Sequence, residues 1–222
     1  MDQLFILLDV GGYTERLRAL RDAGINVIGV TPHNHPCDGF EPIQVPAEWL
    51  PSSETMTADE KGWHACGTLG LAAIQQLGLK ADAFVLGESD CAAVTTRWAA
   101  FMADHEDNPD DASFICPRTR AETLWTPRWK TAPAWATITH LNALYRLSRA
   151  GADACIAGAE EMRECFGEMS WGSLVARAGG KIGKLNRTKT HMNNQTMKAD
   201  PARVLIDKRL INHPIKSNSY AP

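Results

Sequence analysis

The sequence lacks the features that mark membrane, secreted and zinc-stabilised proteins. No apolar run approaches the roughly 18 residues that a membrane helix needs, and the longest, Leu4 to Leu8, ends at Asp9. No basic segment followed by a small-residue cleavage site opens the chain, so we expect a cytoplasmic protein with no membrane insertion. The six cysteines form no Cys-x-x-Cys pair, which predicts reduced, mostly buried thiols rather than a disulfide or zinc framework.

A Gly-x-Gly-x-x-Gly fingerprint is also missing, although a glycine pair follows the first apolar run. This absence argues against a dinucleotide-binding turn. The pair itself, Gly11 and Gly12, comes after Asp9 and lets the backbone approach a ligand closely. Asp38, which follows the second apolar run, is a further candidate for closing the same pocket.

Charge is distributed unevenly along the 222 residues. Residues 1–176 hold 13 Lys/Arg and 24 Asp/Glu, whereas residues 177–222 hold 10 Lys/Arg and 2 Asp/Glu. A basic segment of this kind commonly contacts phosphate on a nucleotide, a nucleic acid or a lipid surface. The alternative is a solvated tail that packs on the acidic body of its own chain.

Strand-like and helix-like patterns alternate from the start of the chain, which predicts an α/β fold with a mostly parallel sheet. Apolar runs predict strands at Gln3–Asp9, Ile25–Thr31, Ile43–Val45, Ala83–Gly87, Ser113–Cys116, Ala152–Ile156 and Lys181–Leu185. Apolar positions at helical spacing predict helices from Tyr13 to Gly24, Lys61 to Gly78, Thr95 to His105, Ile138 to Gly151 and Trp171 to Gly179. No internal repeat and no domain boundary precede residue 186.

The acidic triplet Glu88-Ser89-Asp90 stands directly after the apolar run Ala83–Gly87. In open α/β sheets, ligands bind outside the carboxyl ends of the strands. Carboxylates at positions i and i+2 of a turn can place one side chain on a hydrated divalent metal ion and the other on a ribose hydroxyl or a water. The alternative is an ordinary helix N-terminus, whose dipole favours acidic residues.

Three tryptophans, Trp125, Trp129 and Trp135, lie in a segment without clear periodicity, which predicts a long loop. Their rings suit stacking on a sugar face or on an unstacked base of an acceptor, and ordinary packing is the alternative. Histidines in the loop before Cys37 suggest a transition-metal site, but their spacing fits no zinc module.

A buried first strand, a charged helix, an acidic triplet after a later strand, an aromatic loop and a Glu-led helix follow one another in this chain. This order resembles the nucleotide-sugar-dependent glycosyltransferases of the GT-A fold. The resemblance covers residues 3–216 and implies one Rossmann-like GT-A domain over residues 1–222, in which a mostly parallel central sheet is flanked by helices. It also implies a nucleoside-diphosphate sugar as donor and Mn²⁺ or Mg²⁺ as the metal. The acceptor hydroxyl would belong to a saccharide or to a hydroxymethylated DNA base, as in phage DNA glycosyltransferases acting in the host cytoplasm.

Two of the implied roles fall on carboxylates. Asp90 matches the second acidic residue of the family's Asp-x-Asp motif and would bind the metal, with Glu88 at the first position. The segment Phe166–Trp171 resembles the one whose acidic residue is the general base in inverting members. This makes Glu168 the first candidate for the base and Glu164 the second.

Near the end of the chain, Asn212–Lys216 resembles the segment with which many GT-A enzymes complete the metal site and hold the diphosphate. His213 would then be a metal ligand, with His191 competing for that role, and Lys216 would neutralise charge on the leaving group. The basic segment 186–222 would thereby complete the donor site. At the other end, the Asp9–Gly12 segment would contact the nucleoside base.

Two other classes of function stay open. A metal-dependent nucleotidyltransferase shares the α/β sheet, the metal and the nucleotide, although residues 11–16 are a poor version of its glycine-rich basic loop. A non-catalytic nucleic-acid-binding protein would instead use the basic C-terminal segment as its binding surface.

Overall fold

The computed structural model describes residues 1–9, 15–32, 38–52, 58–91, 93, 95–120, 132–185 and 211, with backbone alone at 58–60, 62, 63, 141 and 142. Seven strands in this part of the chain form one sheet: β1 (Gln3–Leu8), β2 (Val27–Pro32), β3 (Phe40–Ile43), β4 (Ala83–Glu88), β5 (Ala112–Thr119), β6 (Ile138–Ser148) and β7 (Ile182–Lys184). Their order across the sheet is β3-β2-β1-β4-β6-β5-β7. All neighbouring pairs are parallel except those that β6 makes with β4 and β5.

Five α-helices among the described residues flank the sheet: α1 (Glu15–Asp22), α2 (Ala58–Gln76), α3 (Thr95–Asp104), α4 (Arg149–Ala157) and α5 (Gly167–Arg177). Short 3-10 turns occur at Ala47–Trp49 and Glu161–Glu164. The predicted α/β fold with a mostly parallel central sheet flanked by helices is therefore confirmed. No helix in the described ranges has both the length and the apolar character needed to cross a membrane.

Two apolar clusters cover the two faces of the sheet, because successive side chains of a strand point to opposite faces. On the first face, Leu4, Ile6 and Leu8 of β1 pack with residues of α2, α4 and α5. On the second face, Phe5 and Leu7 pack with residues of α1 and α3. We call these the α2–α5 face and the α1–α3 face.

The carboxyl edge of the sheet is the edge at which β1, β2 and β4 end. β1 and β4 are parallel and in register from Gln3 opposite Ala83 to Leu8 opposite Glu88. The residues that follow these two strands therefore emerge side by side at the carboxyl edge. This placement agrees with the position predicted for the acidic triplet.

Two predicted elements were wrong. The segment from Ile138 to Gly151 is mostly strand β6 rather than a helix, and Ala152–Ile156 belongs to helix α4 rather than to a strand. β6 lies between β4 and β5 and is buried on both faces from Ala143 to Leu147. The apolar residues Ile138, Leu141, Leu144 and Tyr145 happen to fall at helical spacing, so periodicity alone favours a helix at a segment that the neighbouring strands hold in the sheet.

The cysteine prediction is confirmed for the described residues. Cys66, Cys91, Cys116, Cys155 and Cys165 are all free thiols. Four of them are buried, and Cys116 is half-buried. Burial raises the pKa of the Cys165 thiol to about 12, so this group stays protonated at neutral pH and packs as a small apolar side chain.

Candidate functional site

The acidic triplet forms a tight turn at the carboxyl edge, and the sheet holds that turn from two sides. The backbone N–H of Ser89 donates to the carbonyl of Leu8 at 2.9 Å, which ties the turn to β1. The backbone N–H of Cys91 donates to the carbonyl of Glu88 at 2.9 Å, and its thiol donates to the carbonyl of Ala143 in β6 at 3.3 Å. The turn is therefore fixed before any ligand arrives.

Asp9 continues β1 at the same edge. Its backbone N–H donates to the carbonyl of Val30 at 2.9 Å, and its side chain is fully buried. Alternation along β1 places Asp9 on the α1–α3 face with Phe5 and Leu7, whereas Glu88 follows Leu86 on the α2–α5 face. The two carboxylates thus approach the edge from opposite faces of the sheet.

The carboxylates of the turn act on two neighbouring buried thiols. Burial, followed by the negative charges of Glu88 and Asp90, raises the pKa of the Cys66 thiol on α2. Burial and the same two carboxylates also raise the pKa of Cys91, while the positive charge of Arg16 acts in the opposite direction. The charges of Glu88, Asp90 and Arg16 therefore all act on the Cys91 thiol, next to the turn.

The donor set of the turn fits a hard divalent cation that reaches its site together with a phosphate ligand. Glu88 and Asp90 are half-buried and supply carboxylate oxygens, the donors that Mg²⁺ and Mn²⁺ prefer. Across the described ranges, no three His, Cys, Asp or Glu side chains come together as a metal-binding group. Mg²⁺ commonly takes one or two carboxylates and completes its shell with water and substrate phosphates, so two carboxylates suffice for that mode of binding.

Helix α5 brings the predicted base to the same edge. The Trp171 ring of α5 stacks on Tyr145 with centroids 5.1 Å apart, and Tyr145 lies opposite Leu86 in β4. Gly180, just beyond α5, approaches Asp111 at the start of β5, so the helix begins near the carboxyl edge and ends near the opposite one. Glu168 precedes Trp171 by about one turn, or roughly 5 Å, and therefore lies nearer to the carboxyl edge.

Glu168 is half-buried in the first turn of α5, whose N-cap residue, Phe166, makes no side-chain cap hydrogen bond. A carboxylate is favoured there by the helix dipole. Glu164, the second candidate, is exposed at the end of the 3-10 turn Glu161–Glu164. Half-burial makes Glu168 the better placed of the two for a reaction from which water is excluded.

Asp38 is exposed and precedes β3 by two residues. β3 begins with Phe40 opposite Gly29, and Gly29 in turn lies opposite Leu7, the last residue but one of β1. The role of Asp38 in closing the same pocket stays a prediction.

Trp135 lies beside the segment that leads into α5. It is half-buried and packs against a small cluster formed by Ala136, Cys165, Phe166 and Met169. The guanidinium of Arg177 lies over its ring at 5.3 Å from the centroid. Trp135 therefore neighbours the start of α5, where Glu168 stands, and has a cation on one face.

The remaining predicted site residues lie outside the described part of the chain: Gly11, Gly12, Trp125, Trp129, His191, His213 and Lys216. Sequence reasoning missed one residue of the site that is described, Arg16, which is only 4% exposed. The position of Arg16 on the apolar face of α1 already indicated in the sequence that its side chain is buried. Arg16 shares one helical face with the core residues Leu17 and Leu20, whereas Arg18 and Arg21 lie off that face.

No protein-family model matches the chain, and no curated protein matches its sequence. Among solved structures, the chain is similar to a mannosyltransferase from Pyrobaculum calidifontis in complex with GDP-Man and Mn²⁺. The identity is 11% and the TM-score 0.43, with 98% of this chain and 58% of that one covered. It is also similar to glucosyl-3-phosphoglycerate synthase from Mycobacterium tuberculosis in complex with Mn²⁺, uridine diphosphate and glucosyl-3-phosphoglycerate. Here the identity is 11% and the TM-score 0.36, with 82% of this chain and 69% of that one covered. This chain thus spans less than two thirds of the mannosyltransferase.

Proposed function

We propose that this protein is a metal-dependent glycosyltransferase that moves a sugar from a nucleoside-diphosphate sugar to an acceptor hydroxyl. The observation that carries the proposal is the rigid acidic turn at the carboxyl edge, with Asp9 beside it and Glu168 at the start of α5 on the same edge. This edge is where α/β sheets bind nucleotides. The resemblance of these residues to GT-A motifs supplies the reaction class.

Glu88 and Asp90 are the proposed ligands of Mn²⁺ or Mg²⁺, and the metal would neutralise charge that develops on the departing nucleoside diphosphate. His213 or His191 would complete the ligand set, and Lys216 would hold the diphosphate. Asp9, with Gly11 and Gly12 after it, would border the nucleoside. The turn needs no rearrangement to present its carboxylates, because backbone and thiol hydrogen bonds already fix it.

Glu168 is the proposed general base of an inverting transfer. Its carboxylate would accept the proton of the acceptor hydroxyl while the hydroxyl oxygen attacks the anomeric carbon and the diphosphate leaves. Exclusion of water by the bound sugar would raise its proton affinity toward that of the acceptor. Trp135, together with Trp125 and Trp129, would offer ring faces to that acceptor, either a saccharide or a hydroxymethylated DNA base.

The first test is calorimetric titration of UDP, GDP, CDP and ADP, with Mn²⁺ and again with EDTA. We expect one nucleoside diphosphate to bind only in the presence of metal. Asp90→Asn removes a charge at the turn with little change in shape, and we expect it to abolish this metal-dependent binding. Asp153→Asn, on the exposed side of α4, is the matched control and should bind as the wild type does.

The second test is turnover of the matching sugar nucleotide with saccharide acceptors and with hydroxymethylated DNA. Glu168→Gln should bind the donor as the wild type does and lose transfer, since it keeps the shape of the side chain and loses the proton acceptor. Absence of nucleotide binding under every metal condition would overturn the proposal. Retention of transfer by Glu168→Gln would remove Glu168 from the base role alone.

A further inference from the structure

Helix α5 and the acidic turn are both attached to strand β6. The carbonyl of Ala143 accepts a hydrogen bond at 3.3 Å from the thiol of Cys91, the residue that follows Asp90. Three residues earlier on the same strand, the ring of His140 contacts α5, where the backbone N–H of Gly172 donates to its Nε2 at 3.4 Å. At about 3.3 Å per strand residue, the two attachments lie roughly 10 Å apart. β6 is therefore a common support for the proposed metal ligands and for the helix that carries the proposed base.

The contact at Gly172 is close because this residue has no side chain. A Cβ at this position would lie 2.9 Å from Cγ2 of Ile138 and 3.2 Å from Cδ2 of His140. A larger residue would therefore push α5 away from the strand. The Ser173 hydroxyl adds a second link to the same region, since it accepts from the backbone N–H groups of Thr137 and Ile138 at 2.8 Å each. Together these contacts fix the distance between α5 and β6.

The ring of His140 is held in place by its neighbours. His140 is 2% exposed, and its ring stacks on Phe114 of β5 with centroids 3.7 Å apart and an interplanar angle of 14°. It also stacks with Trp171 of α5, with centroids 6.1 Å apart. A ring nitrogen accepts a hydrogen bond only when it carries no proton, so the contact with Gly172 specifies a neutral ring that is protonated at Nδ1. His140 therefore offers α5 an acceptor at a fixed position.

Glu168 lies on the face of α5 that rests on β6. It precedes Gly172 by four residues, and residues four apart on a helix lie on one face, one turn from each other. One turn is roughly 5 Å and leads from Gly172 toward the carboxyl edge, where the acidic turn stands. Any displacement of α5 at Gly172 therefore moves the carboxylate of Glu168 as well.

We propose that His140 is a positioning residue for Glu168: by accepting the N–H of Gly172 it sets the place of α5 against β6, and with it the reach of the carboxylate toward the acceptor hydroxyl. This inference rests on the proposed function and adds to it a residue that acts through α5. Misplacing a reacting group by about 1 Å costs about 100-fold in rate. A smaller shift of α5 should therefore slow sugar transfer while the donor binds as before.

The test measures two quantities in each variant: kcat for sugar transfer, and the affinity for the nucleoside diphosphate at saturating Mn²⁺. Gly172→Ala pushes α5 outward, and His140→Phe keeps a stacked ring but loses the acceptor. In both we expect kcat to fall about tenfold while the affinity stays within about twofold of wild type. His140→Gln loses the ring and keeps an acceptor near the position of Nε2, so its kcat should be close to that of wild type.

Gly183→Ala is the matched control for a glycine in close contact. A Cβ at Gly183 would overlap the carboxylate of Asp110, and Gly183 pairs with Ser113 near the start of β5, away from α5 and the carboxyl edge. This variant should unfold at a lower urea concentration than wild type and transfer sugar with an unchanged kcat. A fall in its kcat like that of Gly172→Ala would show that loss of stability alone slows transfer, and would overturn the proposal.

The two histidine variants separate positioning from packing, because the two roles predict different orders. Packing alone predicts that His140→Phe, which keeps the stack on Phe114, is both the more stable in urea and the faster in transfer. Positioning through the acceptor predicts that His140→Phe is the more stable and the slower. Equal rates in the two variants, a slower His140→Gln, or a fall in donor affinity as large as the fall in kcat would overturn the proposal.

The histidine pair decides the question if Gly172→Ala does not fold. Failure of both histidine variants to fold would mark His140 as structural and would refute its positioning role. Absence of transfer by the wild type with every acceptor would instead refute the proposed function. Transfer by the wild type together with an unchanged kcat in Gly172→Ala and His140→Phe would refute the role of His140 alone.

Discussion

His64 should make the protein lose stability in mildly acidic solution. The ring is fully buried on α2, with Nε2 at 3.2 Å from the carbonyl of Trp49. Nδ1 is buried and has no hydrogen-bond partner among the described residues. Burial lowers the pKa of His64 to about 4, although the Trp49 carbonyl acts in the opposite direction. The folded protein therefore keeps this imidazole neutral where an unfolded chain would protonate it.

The magnitude follows from the two pKa values. Above pH 6.5 the His64 imidazole is neutral in both the folded and the unfolded state, and it does not lower the free energy of unfolding. As the pH falls from 6.5 toward 4, the imidazole is protonated in the unfolded state first, so the free energy of unfolding falls. With a pKa of about 4 in the folded state and 6.5 in the unfolded state, the free energy of unfolding falls by about 1.4 kcal/mol at pH 5.5 and about 2.5 kcal/mol at pH 4.5.

Urea unfolding followed by tryptophan fluorescence, in wild type and in His64→Gln, checks this value. All other titrating groups are shared, so the difference between the two proteins isolates His64. The variant should be the less stable at pH 7, and its deficit should shrink by about 2.5 kcal/mol at pH 4.5. Between pH 7 and 8 the deficit should stay constant. If the free energies of unfolding of wild type and His64→Gln change in parallel across pH 4.5–7, the His64 imidazole is not held neutral in the folded protein.

Two further substitutions test the packing that positions α5. Gly67→Ala should lower the free energy of unfolding by about 1–3 kcal/mol in denaturant titrations, because a Cβ on Gly67 would overlap the six-membered ring of Trp171; unchanged stability would contradict this contact. Ser173→Ala should cost about 2 kcal/mol, since the Ser173 hydroxyl accepts from the backbone N–H groups of Thr137 and Ile138 at 2.8 Å each. Ser170→Ala, whose hydroxyl donates only to a carbonyl of its own helix at 3.2 Å, should cost less, and equal losses would refute the account of Ser173.

The first half of the fold could be predicted from the sequence because its signals are local. β1 and β4 are apolar runs that end at charged residues, and the acidic triplet follows β4 as expected. A stripe of apolar and small residues predicts helix α2. Gly67, which lies in close contact with Trp171 of α5, belongs to this stripe. These elements carry most of the candidate site.

The region from Ile138 to Ala157 could not be predicted because its structure depends on distant neighbours. β6 becomes a strand by pairing with β4 on one side and β5 on the other, and this pairing buries His140 and Arg146, which the local pattern does not predict. The run of Ala and Gly in α4 gives little periodic contrast, and the helix depends on a Ser148 cap and on packing by Ala152 and Cys155. Tertiary context therefore overrides local propensity at both elements.

Because β6 lies beside β4, the acidic turn is complete only when β6 has joined the sheet during folding. The turn is completed by the carbonyl of Ala143, which follows Cys91 by 52 positions in the chain. β4 receives its second neighbour only when β6 has entered the sheet, so a chain interrupted after α3 holds Glu88 and Asp90 on a strand with one open edge. Closing such a long loop is slow compared with forming a helix. We therefore expect the charged end of β4 to form late in folding, in the same step that completes the centre of the sheet.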